Sequence, residues 1–219
     1  MVFFFKSRDG WDMYMGTDKF ENDKLIQHSF PNDIWFHVDE VSSAHVYLRL
    51  DFDRLAPSGE AYTIDNIPAG TLEDCVQLVK ANSISGHKMP TVTVIYTYVS
   101  NLRKDIQHMD VGTVGFHKER DVHRVQHVST DKMIVKRVDK TRTERTVADL
   151  KRDREERERV LLSRKKEESK KRYEEKVAAE KARKEEEELR SYSSVMKTEY
   201  MTSNSDQYET AEEFEDDFL

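Results

Sequence analysis

The sequence predicts an α+β fold: a mixed, largely antiparallel N-terminal sheet with packed helices, then a long charged α-helix and a disordered acidic tail. Three observations carry this. Segments before residue 130 alternate apolar and polar side chains with the period of a strand, interrupted by stretches of helical period. From about Thr141 to Arg190 there is no Gly or Pro, and Lys, Arg, Glu and Ala dominate, which favours continuous helix. Residues 191–219 mix Ser, Thr and Asn with acids and lack the apolar content of a core. The expected division is therefore 1–140, 141–190 and 191–219. Charge follows it: 17 Lys/Arg against 20 Asp/Glu in the first segment, 18 against 15 in the second, 1 against 8 in the third. The net charge of −7 thus hides a basic helix, and by itself says little about partners.

Taken in order, Val2 to Phe5 and Trp11 to Met15 read as two strands about a turn at Ser7 to Gly10. Asp18 and Glu21 have the spacing of a capping box at the head of a short helix that Pro31 closes. Asp33 to Val38 and His45 to Leu50 both alternate, and the short loop Asp39 to Ala44 returns the chain antiparallel. After a loop with Pro57, Gly59, Pro68 and Gly70, Thr71 is expected to cap a helix whose Leu72, Cys75, Val76 and Val79 share one face, with Gly86 beyond its end. Thr91 to Val99 is rich in β-branched and aromatic residues, as a buried strand is. Further strands are expected over Thr113 to His117 and Val122 to Val128.

In the long helix the apolar residues form no sustained heptad seam, so a strong coiled coil is not supported. Instead Asp153/Arg157, Glu155/Arg159, Glu167/Lys171, Glu168/Arg172, Glu180/Lys184 and Glu186/Arg190 place an acid four residues before a base. Each such pair adds ~0.2–0.5 kcal/mol to an isolated helix. The expectation is a solvated single helix or weak coiled coil over 141–190. It, or the acidic tail with its spaced aromatics, offers a protein partner a docking segment.

Several functions are disfavoured. The lone Cys75 cannot form an internal disulfide and sits on an apolar helical face, as a buried, reduced cysteine in the cytosol or nucleus does. No apolar run approaches the roughly 18 residues a bilayer span needs, so no transmembrane span is expected. There is no Gly-rich phosphate loop, and one Cys with histidines in no zincin spacing disfavours zinc. Neither cofactor nor metal is expected.

The candidate site is the strand pair. In extended chain Asp33, Trp35 and His37 share one side, as do His45, Tyr47 and Arg49, with Ile34, Phe36, Val38, Val46, Leu48 and Leu50 opposite. Two readings stand: a half-solvated sheet face, or a site gathering an acid, an indole, two imidazoles, a phenol and a guanidinium. As a nucleic-acid interface, Trp35 and Tyr47 would stack bases, Arg49 would meet phosphate, His37 and His45 would assist, and Arg103 and Lys104 would add a second basic cluster. As a phosphodiesterase, Asp33, His37 and His45 would be the acid–base groups. In a third reading the chain is an interaction scaffold working through residues 141–219.

Several blocks carry a resemblance: Met15-Gly16 through Glu21-Asn22, Asp33 to Val38, Ser43 to Arg49, Leu78 to Ser83, Ser100 to Lys104, Asp110-Val111-Gly112 with Gly115-Phe116-His117, and Leu189 to Ser194. Together they resemble the NFACT-R domain in a stand-alone form, over nearly the whole chain. The resemblance implies an α+β module that binds RNA in a setting of ribosome-associated quality control or translation, with ribosome or tRNA as partner and a cytoplasmic location. Its Asp-x-Trp-x-His signature falls on Asp33, Trp35 and His37, and its Ser-x-His element on Ser43 and His45. Animal members imply an alternative, DNA binding at the plasma membrane. The loop Asp51 to Ala61 reads as an insertion that leaves the paired strands undisturbed.

Overall fold

The computed structural model describes residues 1–51, 53–104, 110 and 112–190; the expected acidic tail lies outside them. The chain divides into two compact units, Met1–Glu158 and a second beginning at Arg159.

In the first unit, β1 (Val2–Lys6) and β2 (Asp12–Gly16) form a hairpin, followed by α1 (Lys19–His28), β3 (Ile34–Val38) and β4 (Val46–Arg49). Next come α2 (Ala69–Ala81), β5 (Thr91–Tyr98), the short β6 (Leu102–Arg103) and β7 (Gly115–Phe116), β8 (His123–Ser129), α3 (Lys132–Asp139), β9 (Thr143–Arg145) and the start of α4 (Val147–Arg190). The main sheet has seven strands in the order β8-β5-β3-β4-β2-β1-β9, with β6 and β7 paired separately. Every pairing is antiparallel.

Most elements lie where the sequence places them, with instructive differences at the caps. Asp18 caps α1, its side chain accepting from the amides of Phe20 and Glu21. Glu21, expected to reach back to Asp18, instead accepts from Thr17 and from the N-terminal ammonium. Pro68 is the N-cap of α2, which starts before Thr71. Thr71 is freed to tie the β1–β2 turn to the helix through Ser7 and Asp9. Neither α3 nor β9 was expected: β9 falls at the start of the span read as helix, where it pairs with β1. The long helix begins only after a reciprocal cap, in which Thr146 Oγ1 accepts from the Asp149 amide and the Asp149 carboxylate accepts from the Thr146 amide.

Strand alternation divides the sheet into two buried faces. Ile34, Phe36, Val38, Val46 and Leu48 join Cys75, Val76, Leu78 and Val79 of α2 and Ile134 and Val138 of α3 in one core. On the reverse, Val2, Phe4, Tyr14, Trp35, Tyr47 and Ile95 pack with Leu25 of α1, Leu102 of β6, and Val147 and Leu150 of α4 in a second. Register sets the second core: Phe4 faces Tyr14, Tyr14 faces Tyr47, and Tyr47 faces Trp35 across successive strands. The first three rings stack at 5.3 and 4.9 Å between centroids. Cys75 is buried beside Met13, and burial raises its thiol pKa well above the ordinary value. Lys80, also buried, donates to the carbonyls of Pro90 and Val128, joining α2 to the β5–β8 margin.

From Arg159 onward α4 is exposed throughout, including Val160, Leu161, Leu162, Tyr173, Val177 and Leu189. The expected acid-before-base pairs form at Glu168/Arg172, Glu180/Lys184 and Glu186/Arg190. Nearer the start, Asp153 pairs with Arg145 of β9, and the Arg157 guanidinium lies 4.6 Å from the Phe30 ring centroid. No helix among the described residues is long and apolar enough to cross a membrane.

Candidate functional site

The side chains singled out on the paired strands share a face, as alternation requires, but that face is not open. Trp35 is 1 % exposed and Tyr47 fully buried, because α1, Leu102 and the first turns of α4 cover them. Neither ring presents a free face for base stacking. Asp33, also 1 % exposed, accepts from the Tyr14 hydroxyl at 2.5 Å, the Phe30 amide at 3.1 Å and Arg49 Nη2 at 3.2 Å. Arg49 is thereby spent on Asp33, and its guanidinium lies 4.0 Å from the Phe30 ring centroid. Tyr14, Asp33 and Arg49 form a buried polar knot that holds β2, β3 and β4 together.

Asp33 is also far from the histidines. It stands four residues before His37 on one strand, about 13 Å at ~3.3 Å per residue. It neither orients His37 nor belongs to one site with it. His37 and His45 do meet: their ring centroids are 5.2 Å apart, with Trp35 5.3 Å from each.

These three rings wall one side of a cleft of about 360 Å³, completed by Lys19 and Asn22 of α1, Ser42 and Ser43, Ile95, and Gly112, Thr113, Val114 and Phe116. A second cleft of about 410 Å³ shares Lys19, Asn22, Ser42 and Ser43 and runs to Asn82 and Ile84 after α2. Each wall is braced. Ser43 Oγ accepts from the Val38 amide, and the Ser42 carbonyl accepts from Ser83 Oγ at 2.7 Å, so the end of α2 fixes the loop before β4. Gly16 lets Asn22 close in: a Cβ there would meet Asn22 Oδ1 at 2.7 Å. Gly112 takes φ +86, a left-handed conformation that glycine adopts freely. Its amide donates to Asp23, fastening the far wall to α1.

Lys104 belongs to this bracing rather than to an open basic patch. Its ammonium pairs with Asp23 at 3.1 Å and donates to the carbonyls of Asp110 and Thr113. Arg103 is exposed and lies over Gly115, beside the Thr113–Phe116 wall. Among the described residues no group of His, Cys, Asp and Glu is placed to hold a metal ion.

The polar atoms of the cleft are unusual. Trp35 Nε1, His45 Nδ1 and Asn22 Oδ1 are buried and have no hydrogen-bond partner among the described residues, and all three residues line the cleft. Burial, aided by neighbouring His37 and Lys104, lowers the His45 imidazole from 6.5 to about 3, against a hydrogen bond to the Gly112 backbone that favours the charged form. His37 is lowered by burial as well. Both rings are therefore neutral at pH 7.

This burial has a pH signature. Between about pH 6.5 and 3 the unfolded chain binds a proton at His45 that the folded chain refuses. The His45 contribution is thus fully present above the unfolded value and lost as pH falls through that window, on the order of 5 kcal/mol over its whole width. Urea unfolding of the wild type should show a steep loss of stability from pH 7 to 4, and a His45→Leu variant a shallower one. Parallel profiles would place the His45 imidazole in solvent.

Which proteins share these features is clear from comparison. Residues 1–118, which contain every residue of the cleft, match the family model described as NFACT protein RNA binding domain. Coiled-coil domain-containing protein 25 of Danio rerio is 50% identical over 222 residues, covering 100% of both chains. The Coiled-coil domain-containing protein 25 homolog of Dictyostelium discoideum is likewise 50% identical over 100% of both. Protein JLP2 of Saccharomyces cerevisiae is 41% identical over 66% of this chain and 69% of its own. With the family model matched over more than half its length and full-length relatives at this identity, the chain belongs to the coiled-coil domain-containing protein 25 family of NFACT-R domain proteins.

Proposed function

We propose that the protein is a non-enzymatic RNA-binding module that works with ribosomes or tRNA, in translation or the handling of stalled ribosomes, in the cytoplasm. The observation that carries this reading is convergence. The blocks at residues 15–22, 33–38, 43–49, 78–83 and 110–117 lie far apart in sequence, yet they meet around two adjoining clefts. The first cleft lies wholly within the span that matches the RNA-binding domain family.

Binding is favoured over cleavage by the same geometry. Acid–base catalysis of phosphodiester cleavage needs a group that is protonated, or readily protonated, near neutral pH. His45 is held far below that range and Asp33 is committed to Arg49 and Tyr14. RNA would enter over the exposed rim, where Lys19 and Arg103 stand on either side. Each phosphate contact adds to affinity and to its salt dependence.

The full chain is expected to bind single-stranded RNA with an affinity that falls as salt rises. A Lys19→Glu/Arg103→Glu variant should bind at least about tenfold more weakly at a fixed salt concentration. Fluorescence anisotropy with RNA and DNA of one sequence measures both. No RNA binding by the wild type would sink the function, and full affinity in the variant would sink the placement. Sedimentation with ribosomal fractions, together with crosslinking in cells and sequencing of the attached RNA, tests the ribosomal setting.

A further inference from the structure

The cleft carries more chemistry than backbone binding needs. Phosphate contacts require cations on a surface, whereas the buried wall offers neutral hydrogen-bonding atoms. Leaving such atoms unpaired costs roughly 1–3 kcal/mol each, so three in one cleft point to a ligand that pairs with them. Their types are informative. Trp35 Nε1 is a donor only, and Asn22 Oδ1 is an acceptor. His45 is neutral and gives its proton to the Gly112 backbone through its other ring nitrogen, which leaves Nδ1 as an acceptor.

We infer, resting on the RNA-binding reading above, that the cleft lined by Asn22, Trp35, His45 and Phe116 receives one unpaired nucleobase of an RNA strand, with guanine preferred. A volume of about 360 Å³ admits a base with part of its sugar while excluding a duplex. Ile95, Val114 and Phe116 supply apolar walls, and Lys19 at the rim is placed for the flanking phosphate. The protein presents two acceptors and one donor. The Watson–Crick edge of guanine is the complement, with N1–H and N2–H as donors and O6 as acceptor. Uracil brings a single donor, and cytosine and adenine each a single amino group, so any of them leaves one of the two protein acceptors unpaired. Single-stranded RNA is ordinarily recognised through such splayed bases.

The test uses the full chain and nonamers of uridine whose central residue is G, A, C, U or abasic. The G-centred strand should bind at least about fivefold more tightly than the others, the abasic strand most weakly. Asn22→Ala should remove most of the G preference. Thr113→Trp, at an exposed position on the mouth of the cleft, should abolish it while the fold and residual binding to the flanks persist. Guanosine 5′-monophosphate is the second arm and should bind far more weakly than the G-centred strand. Equal affinity for all centres, or a G preference that survives Thr113→Trp, overturns the base pocket but leaves RNA binding standing. A monophosphate that matches the strand reassigns the cleft to a free nucleotide and overturns the strand-borne base. Failure to bind every nonamer overturns the RNA-binding reading itself.

Discussion

Replacing Asp33 with alanine is expected to cost the domain roughly 3–5 kcal/mol, the penalty for breaking a buried ion pair by removing one partner. The carboxylate is the shared acceptor for Tyr14, the Phe30 amide and Arg49. Its loss strands a guanidinium whose side chain is 12% exposed. The sharper expectation concerns the pair. Arg49→Met added to Asp33→Ala should restore part of the loss, because the uncompensated charge has gone and the methionine can pack against Phe30. Denaturant unfolding of both single variants and the double closes the cycle. Independent, additive losses would mean that the two groups do not interact in solution.

Trp35→Ala is the second large effect, about 3–5 kcal/mol for an aromatic deleted from a packed core. In a unit of this size that lowers the melting temperature by something like 10 °C, at ~2–4 °C per kcal/mol. The residue looks like a stacking platform from its sequence, so the alanine variant invites misreading: weakened RNA binding would follow from the damaged core. Trp35→Phe separates the effects. It keeps most of the ring volume beside Tyr47, His37 and Phe116 and removes only the Nε1 donor. A thermal scan in which Trp35→Ala melts with the wild type would show that the ring is not buried.

What the sequence disclosed and what it concealed divide along physical lines. Period-two alternation located β3 and β4, placed Ile34, Phe36 and Val38 on one core, and correctly grouped Trp35, His37 and His45. It could not tell a solvated face from a second core, because burial of that face depends on α1, on Leu102 and on Leu150 from a helix more than a hundred residues later. The Asp-x-Trp-x-His spacing suggested one constellation, yet four residues of strand are too long for Asp33 to reach His37. Asn22 was missed as a site residue. Within α1 it reads as an ordinary polar position, and the clue was Gly16, whose missing Cβ makes room for it. Lys104 gave the signal of an open basic patch because nothing local reveals Asp23 as its partner across more than eighty residues. Strand β9 was lost in a helix-favouring composition; its three residues extend because β1 offers an unpaired edge.

The late arrival of β9 and Leu150 bears on the order in which the protein matures as it is made. Every residue of the cleft has been synthesised by Phe116, but the sheet's last strand and the side chain that plugs its second core come from residues 143–150. A chain still growing through residue 118 therefore holds all its recognition chemistry on an unfinished scaffold, with Phe4 and Tyr47 not yet covered from that side. Domains generally fold as units during synthesis. The nascent protein thus gains a competent surface only once the root of its long helix has emerged, and a fragment ending at Lys140 resembles that immature state.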